Sequence, residues 1–280
     1  MNPTLSPLPS TDFDKTRCLT ACLNKALVIS KKQGFQQIFL ELFAGKGDLS
    51  VAVSKHGYGV VCIDIKHGRT HDLCKYSHQN IVLGWIKSKV VAGVWLGTPC
   101  SSWSRARHDL DGGGPRDKDH LYGKPDLSPA DAQRVEFGNI TLKFSVKVIR
   151  TSDHCGIPTV LENPASSMIW QVLALQRLKG TPVLIDYCQF GMRWRKRTRF
   201  QTWNIDPPED RLCKGHRGIC SRTNRPHIIV KGYDKVSKQN WTHIAEPYPK
   251  RICSLFANCI ASSIQNLAEH RRCALCIRTA

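Results

Sequence analysis

The sequence predicts an α/β protein with a doubly wound, mostly parallel sheet and a small Cys/His-rich C-terminal region. Apolar runs of strand length alternate with helix-patterned segments as far as residue 203, the rhythm of a sheet covered by helices on both faces. Those runs are almost continuously apolar, as strands buried on both sides require. Past Asn204 the rhythm stops, and Cys, His, Arg and Pro cluster instead.

The elements follow in order. Residues 1–15 read as a disordered leader. Thr16 to Lys32 has helical spacing (Leu19, Cys22, Leu23, Ala26, Leu27), and Gly34 suits its C-terminus. QQIFLELF reads as a strand, AGKGD as a Gly-rich turn, and LSVAVSKHG as a helix closed by Gly57. YGVVCIDI is a second strand that reaches Asp64, and VVAGVWLG is a third, strongly buried one. Thr98 to Leu127 is long, polar and Gly-rich, and a loop of that length inside a compact domain is functional or disordered. Ser128-Pro129-Ala130-Asp131 starts a helix, with Ser as cap and Pro in the first position, that extends to Ser152. IPTVLEN is a strand, SSMIWQVLALQRLKG a helix with a Gly stop, and TPVLIDYCQF and RTRFQTW are strands. A closing helix covers Pro249 to Arg272. The expected division is therefore a leader (1–15), a main domain (16–203), a small basic region (204–240) and a closing helix packed on the main domain (241–280).

Charge and cysteine content narrow the partners. The chain has 41 Lys and Arg against 22 Asp and Glu, a net +19. An excess of that size favours a polyanion, nucleic acid before membrane. The apolar runs are far shorter than a bilayer span. MNPTLSPLPSTDFDK has neither a basic n-region nor an apolar h-region, so the expectation is an intracellular protein that is not secreted. In that setting thirteen cysteines suggest reduced thiols, some on a metal, rather than a disulfide framework.

Four constellations carry chemistry. Glu41 to Asp48 (ELFAGKGD) is a strand-to-helix turn whose glycines let a ligand approach the backbone. Asp64 ends the next strand, where an acid can accept hydrogen bonds from a ribose diol, and Asp72 is a further polar candidate that reads more readily as a solvated loop acid. The second is GTPC at the tip of the third strand. Cys100 lies where ligands collect in α/β sheets and is a nucleophile if positive charge lowers its pKa; Arg105 and Arg107 follow it. By contrast Cys62, Cys155 and Cys188 read as semi-buried structural thiols. The third is LENP, where Glu162 ends a strand and would be expensive to bury unpaired; a raised pKa makes it an acid able to protonate a ring nitrogen. The fourth is YCQFGMRWRKRTRF, in which five of the seven residues from Arg193 to Arg199 are basic, with Trp194 among them, suiting phosphate contact and base stacking.

In this order the four resemble the DNA (cytosine-5) methyltransferase family. ELFAGKGDLS matches the turn that binds S-adenosylmethionine, GTPCSSWS the Pro-Cys nucleophile loop, LENP the Glu-Asn-Val motif and RKRTRF the Arg-x-Arg strand, over roughly residues 38–203. Ser101, Pro164 and Arg195 depart from it where the family has Gln, Val and Gln, as in divergent phage or mobile-element branches. The resemblance implies a Rossmann-like methyltransferase fold and methyl transfer to C5 of a flipped cytosine in DNA. It implies Cys100 as nucleophile on C6, Glu162 at N3, and Arg197 and Arg199 steadying the base and its phosphate. Phe43, Ala44, Gly45, Gly47, Asp64, Asp72 and Pro99 would hold the cofactor, and Asn163 would orient Glu162. Ser104, Arg105, Arg107, Arg193, Arg195 and Lys196 would face the nucleic acid, and the loop after Cys100 would close over it. The expected state is a monomer. Two alternatives stay open: a catalytically inactive nucleic-acid-binding relative, and a methyltransferase acting on cytosine in RNA.

In the tail, Cys213, His216, Cys220 and His227 supply two thiols and two imidazoles at short spacing, a candidate structural zinc site in a region with little core. The alternative is reduced loop cysteines and solvent histidines. The basic residues of 204–240 occupy the place where the family keeps its target-recognition region.

Overall fold

The computed structural model describes residues 12–104 and 114–278. Its strands are β1 (Ile38–Leu42), β2 (Gly59–Ile63), β3 (Val91–Leu96), β4 (Thr159–Pro164), β5 (Thr181–Asp186) and β6 (Arg197–Trp203). Its main helices are α1 (Asp12–Lys32), α2 (Asp48–Ser54), α3 (Tyr76–Lys87), α4 (Pro129–His154), the single turn α5 (Leu173–Gln176) and, after α6 (Trp241–Ile244), the long α7 (Lys250–Arg278). The six strands form one sheet in the order β2-β1-β3-β4-β6-β5. β1 pairs in parallel with β2 and β3, and β3 with β4; β6 runs antiparallel between β4 and β5. This is a mixed α/β fold with a mostly parallel sheet, compatible with a Rossmann-like arrangement.

Alternation along each strand feeds two cores. Ile38, Leu40 and Leu42 of β1 join Leu23 of α1, Val82 of α3 and Ile149 of α4 on one face. Phe39 and Trp95 join Leu49 of α2 and Ile252, Phe256 and Ile260 of α7 on the other. Every residue of β1 and β3 is buried, which is why those runs show no polar alternation in sequence. The chain passes from β1 to β2 on one side and then to β3 on the other. A crevice therefore opens beyond the carboxyl ends of β1 and β3, where α/β sheets bind ligands.

Several boundaries differ from the expectation. α1 begins at Asp12, so residues 12–15 belong to a helix; the rest of the expected leader lies outside the described residues. α3 had no reading as a helix, because its first turn is polar and His78 and Gln79 are buried by bonding the carbonyls of Asp72 and Leu73. The helix expected between Ser166 and Gly180 is two short turns instead. Val172 is extended (φ −73°, ψ 117°), and Trp170 Nε1 donates to the Pro164 carbonyl, which together break the ladder. β5 stops at Asp186 and hands over to a 3-10 turn, Tyr187–Phe190.

The loop after Cys100 is also less free than its composition suggests. Its centre, with Arg105 and Arg107, lies outside the described residues. The far part is pinned by Arg116, which is fully buried and stacks 3.4 Å from the Trp103 ring centre. The guanidinium donates to the Leu121 and Val135 carbonyls, Asn139 Oδ1 and Ser102 Oγ. Beyond β6 the chain forms a small hairpin, β7 (Tyr233–Asp234) with β8 (Gln239–Asn240). Residues 208–228 lean on the edge strand: the Asp186 N–H donates to the Arg211 carbonyl, and the Leu184 N–H to Asp210 Oδ1. Among the described residues no helix is long and apolar enough to cross a membrane.

Candidate active site

The crevice is a cavity of about 410 Å³, and it gathers residues that are far apart in sequence. Phe43 to Asp48 form one wall, Asp64 and Asp72 a second, Gly97 to Ser101 the floor, and Glu162, Lys196 and Tyr248 the far side. Cys100 and Glu162 thus face one space, beside the Gly45 turn.

The turn is built by backbone conformation. Gly45 and Gly47 both have positive φ (57° and 72°), and so does Phe43 (55°), where a side chain carries strain of order 1–2 kcal/mol. Asp64 Oδ2 accepts from the Gly45 N–H at 2.8 Å and Oδ1 from the Lys66 N–H at 2.8 Å, locking the tips of β1 and β2 together. Ala44 is buried and bonds the Ile63 carbonyl. Beneath the turn Glu41 is fully buried. Its Oε2 accepts from the Ser50 N–H at 2.9 Å, its Oε1 has no partner, and burial pushes its carboxyl up to about 7. Asp72 lines the cavity too, with Oδ1 accepting from the Cys74 N–H, so it is more than a solvated loop acid.

The Cys100 turn is held from behind. Cys100 O accepts from the N–H groups of Trp103 and Ser104 at 3.0 and 2.8 Å. Thr98 Oγ1 bonds Ser145 Oγ at 2.7 Å, and Asn163 Nδ2 donates to the Thr98 carbonyl at 2.7 Å. Asn163 therefore positions the Cys100 turn rather than the Glu162 carboxylate. Burial raises the Cys100 thiol and the Glu162 charge adds to it, while the Lys196 ammonium opposes both. Glu162 is only 8% exposed, and burial raises its carboxyl against Lys196 and a bond from Tyr248. Tyr248 Oη donates to Glu162 Oε2 at 3.3 Å and accepts from Trp95 Nε1 at 3.2 Å.

Two residues carry weight here that sequence reasoning missed or placed elsewhere. Tyr248 arrives from the segment before α7, where nothing local marks it. Lys196, read as a nucleic-acid contact, lines the cavity instead; it donates to the Ala245 carbonyl at 3.1 Å and lies 4.9 Å from the Tyr187 ring centre.

Arg197 and Arg199 do not line the cavity. Arg197 holds Asp186 through two bonds of 2.9 Å, and Arg195 joins the same carboxylate at 3.1 Å. Burial alone would raise Asp186, but Arg197, the Cys213 N–H and Arg195 together bring its pKa below the usual carboxylate value. Arg199 lies 4.4 Å from the Trp170 ring centre, with its guanidinium on Gln201. The physical reason is strand alternation. Residues 197, 199 and 201 share one face of β6, and Glu162 is in register with Phe200 on the other. Arg193 is exposed on the approach to β6.

The Cys/His site also differs from its prediction. Ligand atoms of Cys188, Cys213, Cys220 and His227 lie within 4.8 Å of one another, a group able to hold a metal ion. His216 is exposed and stands outside it. Cys188, read as a structural core thiol, takes its place because the turn after β5 brings it under the Cys213 loop. Burial would raise Cys213, but donors from Ser221 and Gly215 bring the thiol down to about 6. No disulfide joins the described cysteines. Neither a protein-family model nor a curated protein sequence matches the chain.

Proposed function

We propose that the chain is an S-adenosylmethionine-dependent methyltransferase acting on C5 of cytosine in DNA. The observation that carries the reading is the meeting of Cys100 and Glu162 in one cavity with the Gly45 turn and Asp64. The motif resemblance and the net charge of +19 support it further.

The residues fit the cofactor. A Cβ on Gly45 would meet nothing nearer than Glu246 at 3.9 Å, so the turn leaves open room over its backbone. Each Asp64 oxygen accepts one backbone N–H and keeps capacity for a ribose diol. The volume of about 410 Å³ is in the range of small-ligand sites. When bound, S-adenosylmethionine supplies an electrophilic methyl group.

The protein's own residues do the rest. The target base leaves its stack to reach the cavity floor. The Cys100 thiolate adds to C6, forming a C–S bond, while Glu162 delivers its proton to N3. The ring electrons then collect at C5, which becomes nucleophilic. Once C5 carries the methyl group, loss of the C5 proton to water lets the C6–S bond break and frees the thiolate, and N3 returns its proton to the Glu162 carboxylate. Lys196 favours both anions, the thiolate before attack and the Glu162 carboxylate after proton delivery. Tyr248 donates to that carboxylate, and Asn163 holds the turn that aims Cys100.

Incubation with tritiated S-adenosylmethionine and a mixture of DNA and RNA tests the reading. Label on DNA cytosine that disappears in Cys100→Ala is expected. Label confined to RNA would reassign the substrate, and binding of DNA without any transfer would overturn the enzyme reading.

A further inference from the structure

The Cys188 cluster is independent of the proposed chemistry and sits in a part of the chain that has little else to hold it. Between residues 204 and 240 the only paired strands are the two-residue β7 and β8, while Ile229, Tyr233 and Val236 are exposed. The three thiols form a buried group of their own, separate from both sheet cores: Cys188 is 0% exposed, Cys220 3% and Cys213 5%. A segment that buries so little apolar surface needs a staple to stay folded.

The cluster has the donors and the spacing of a tetrahedral site. Cys213 Sγ and His227 Nε2 are 3.7 Å apart, close to the ~3.6 Å edge between a sulfur at about 2.3 Å and a nitrogen at about 2.0–2.1 Å from a tetrahedral zinc. Three thiolates and an imidazole favour zinc over hard cations. The surroundings act as an outer shell: the Ser221 N–H donates to Cys213 Sγ at 3.4 Å, and Gln189 Nε2 to Cys188 Sγ at 3.3 Å. The loop between Cys213 and Cys220 is tight, since a Cβ on Gly215 would fall 1.8 Å from the Ile219 carbonyl oxygen.

We infer that Cys188, Cys213, Cys220 and His227 bind one structural zinc ion, and that this ion clips the basic 204–240 segment to the β5–β6 edge beside the active-site wall. The clip is short. Cys188 lies two residues beyond Asp186, whose Oδ2 accepts from the Cys213 N–H at 2.8 Å as well as from Arg195 and Arg197. Arg222 Nε donates to the Cys188 carbonyl at 2.6 Å. The ligand loop and the Arg195–Arg197 strand thus share one carboxylate, and Lys196 between those arginines lines the cavity.

Metal analysis of the full chain, with no need for methyl transfer, tests the inference. One zinc per chain is expected, and Co(II) exchange should give tetrahedral d–d bands with a thiolate-to-cobalt charge-transfer band. Cys188→Ala and His227→Ala should lose the metal and expose 204–240 to protease, while His216→Ala keeps full stoichiometry. If the Cys188 variant does not fold, wild type and His216→Ala still decide by stoichiometry and cobalt spectrum. Wild-type protein that neither carries zinc nor gives the cobalt–thiolate band would overturn the site, as would loss of metal in His216→Ala.

Discussion

Tyr248→Phe removes one oxygen atom and, with it, two hydrogen bonds, one of them to the buried acid Glu162. The phenol donates to Glu162 Oε2 at 3.3 Å and accepts from Trp95 Nε1 at 3.2 Å. A bond to a charged group contributes about 1.5–3 kcal/mol, and the long donor distance argues for the lower figure. At 1.36 kcal/mol per pKa unit, about 1.5 kcal/mol raises the Glu162 pKa by about one unit further. The same loss falls on the carboxylate that remains after proton delivery, so kcat should fall about tenfold. Trp95 is 1% exposed, and its orphaned N–H costs a further ~1–3 kcal/mol of stability. For a chain of this size each kcal/mol lowers Tm by roughly 2–4 °C. The assay is tritium transfer to DNA across pH, run beside a thermal melt. The limb of the rate profile that titrates with Glu162 should move up by about one pH unit, with a lower kcat. A lower Tm with an unmoved profile would make Tyr248 merely structural and refute its role at Glu162.

Two predictions concern stability. Glu41 has a folded pKa of about 7 against a reference of 4.5, raised by burial, so its stabilising contribution is whole below the reference value and is lost as pH rises through 7. The wild type should therefore lose about 3 kcal/mol between pH 4.5 and 8 from this group, and Glu41→Gln should flatten that loss in urea unfolding measured at both pH values. Arg116→Ala leaves the Leu121 and Val135 carbonyls, Ser102 and Asn139 without their shared donor, and should cost at least about 3 kcal/mol and open residues 114–127 to protease. Arg116→Lys should not restore it, because a single ammonium cannot reproduce the planar fork over Trp103.

The strands and the two turns of the site were legible because burial on both faces leaves an unbroken apolar run, and the residues that line the cavity stand where each run stops. Cys100, Glu162, Gly45 and Asp64 were all readable in that way. α3 was not, since His78 and Gln79 satisfy backbone carbonyls inside the fold and so look like surface residues. Arg197 and Arg199 were misplaced because a basic run does not reveal which alternate residues face which side, nor that Asp186 collects two of the arginines. Cys188 and Tyr248 are tertiary contributions. The first reaches its partners across 25 to 39 residues of chain and the second reaches Glu162 across 86, and no local spacing encodes either contact.

The proposed chemistry turns on attack by Cys100 at cytosine C6 in this cavity. The most direct measurement is covalent trapping on duplex DNA in which the target cytosine is 5-fluorocytosine, whose C5 fluorine cannot leave as a proton does. With S-adenosylmethionine present, a denaturation-stable protein–DNA adduct is expected whose mass maps to the peptide containing Cys100, and no adduct in Cys100→Ala. An adduct that forms equally well in Cys100→Ala would contradict it.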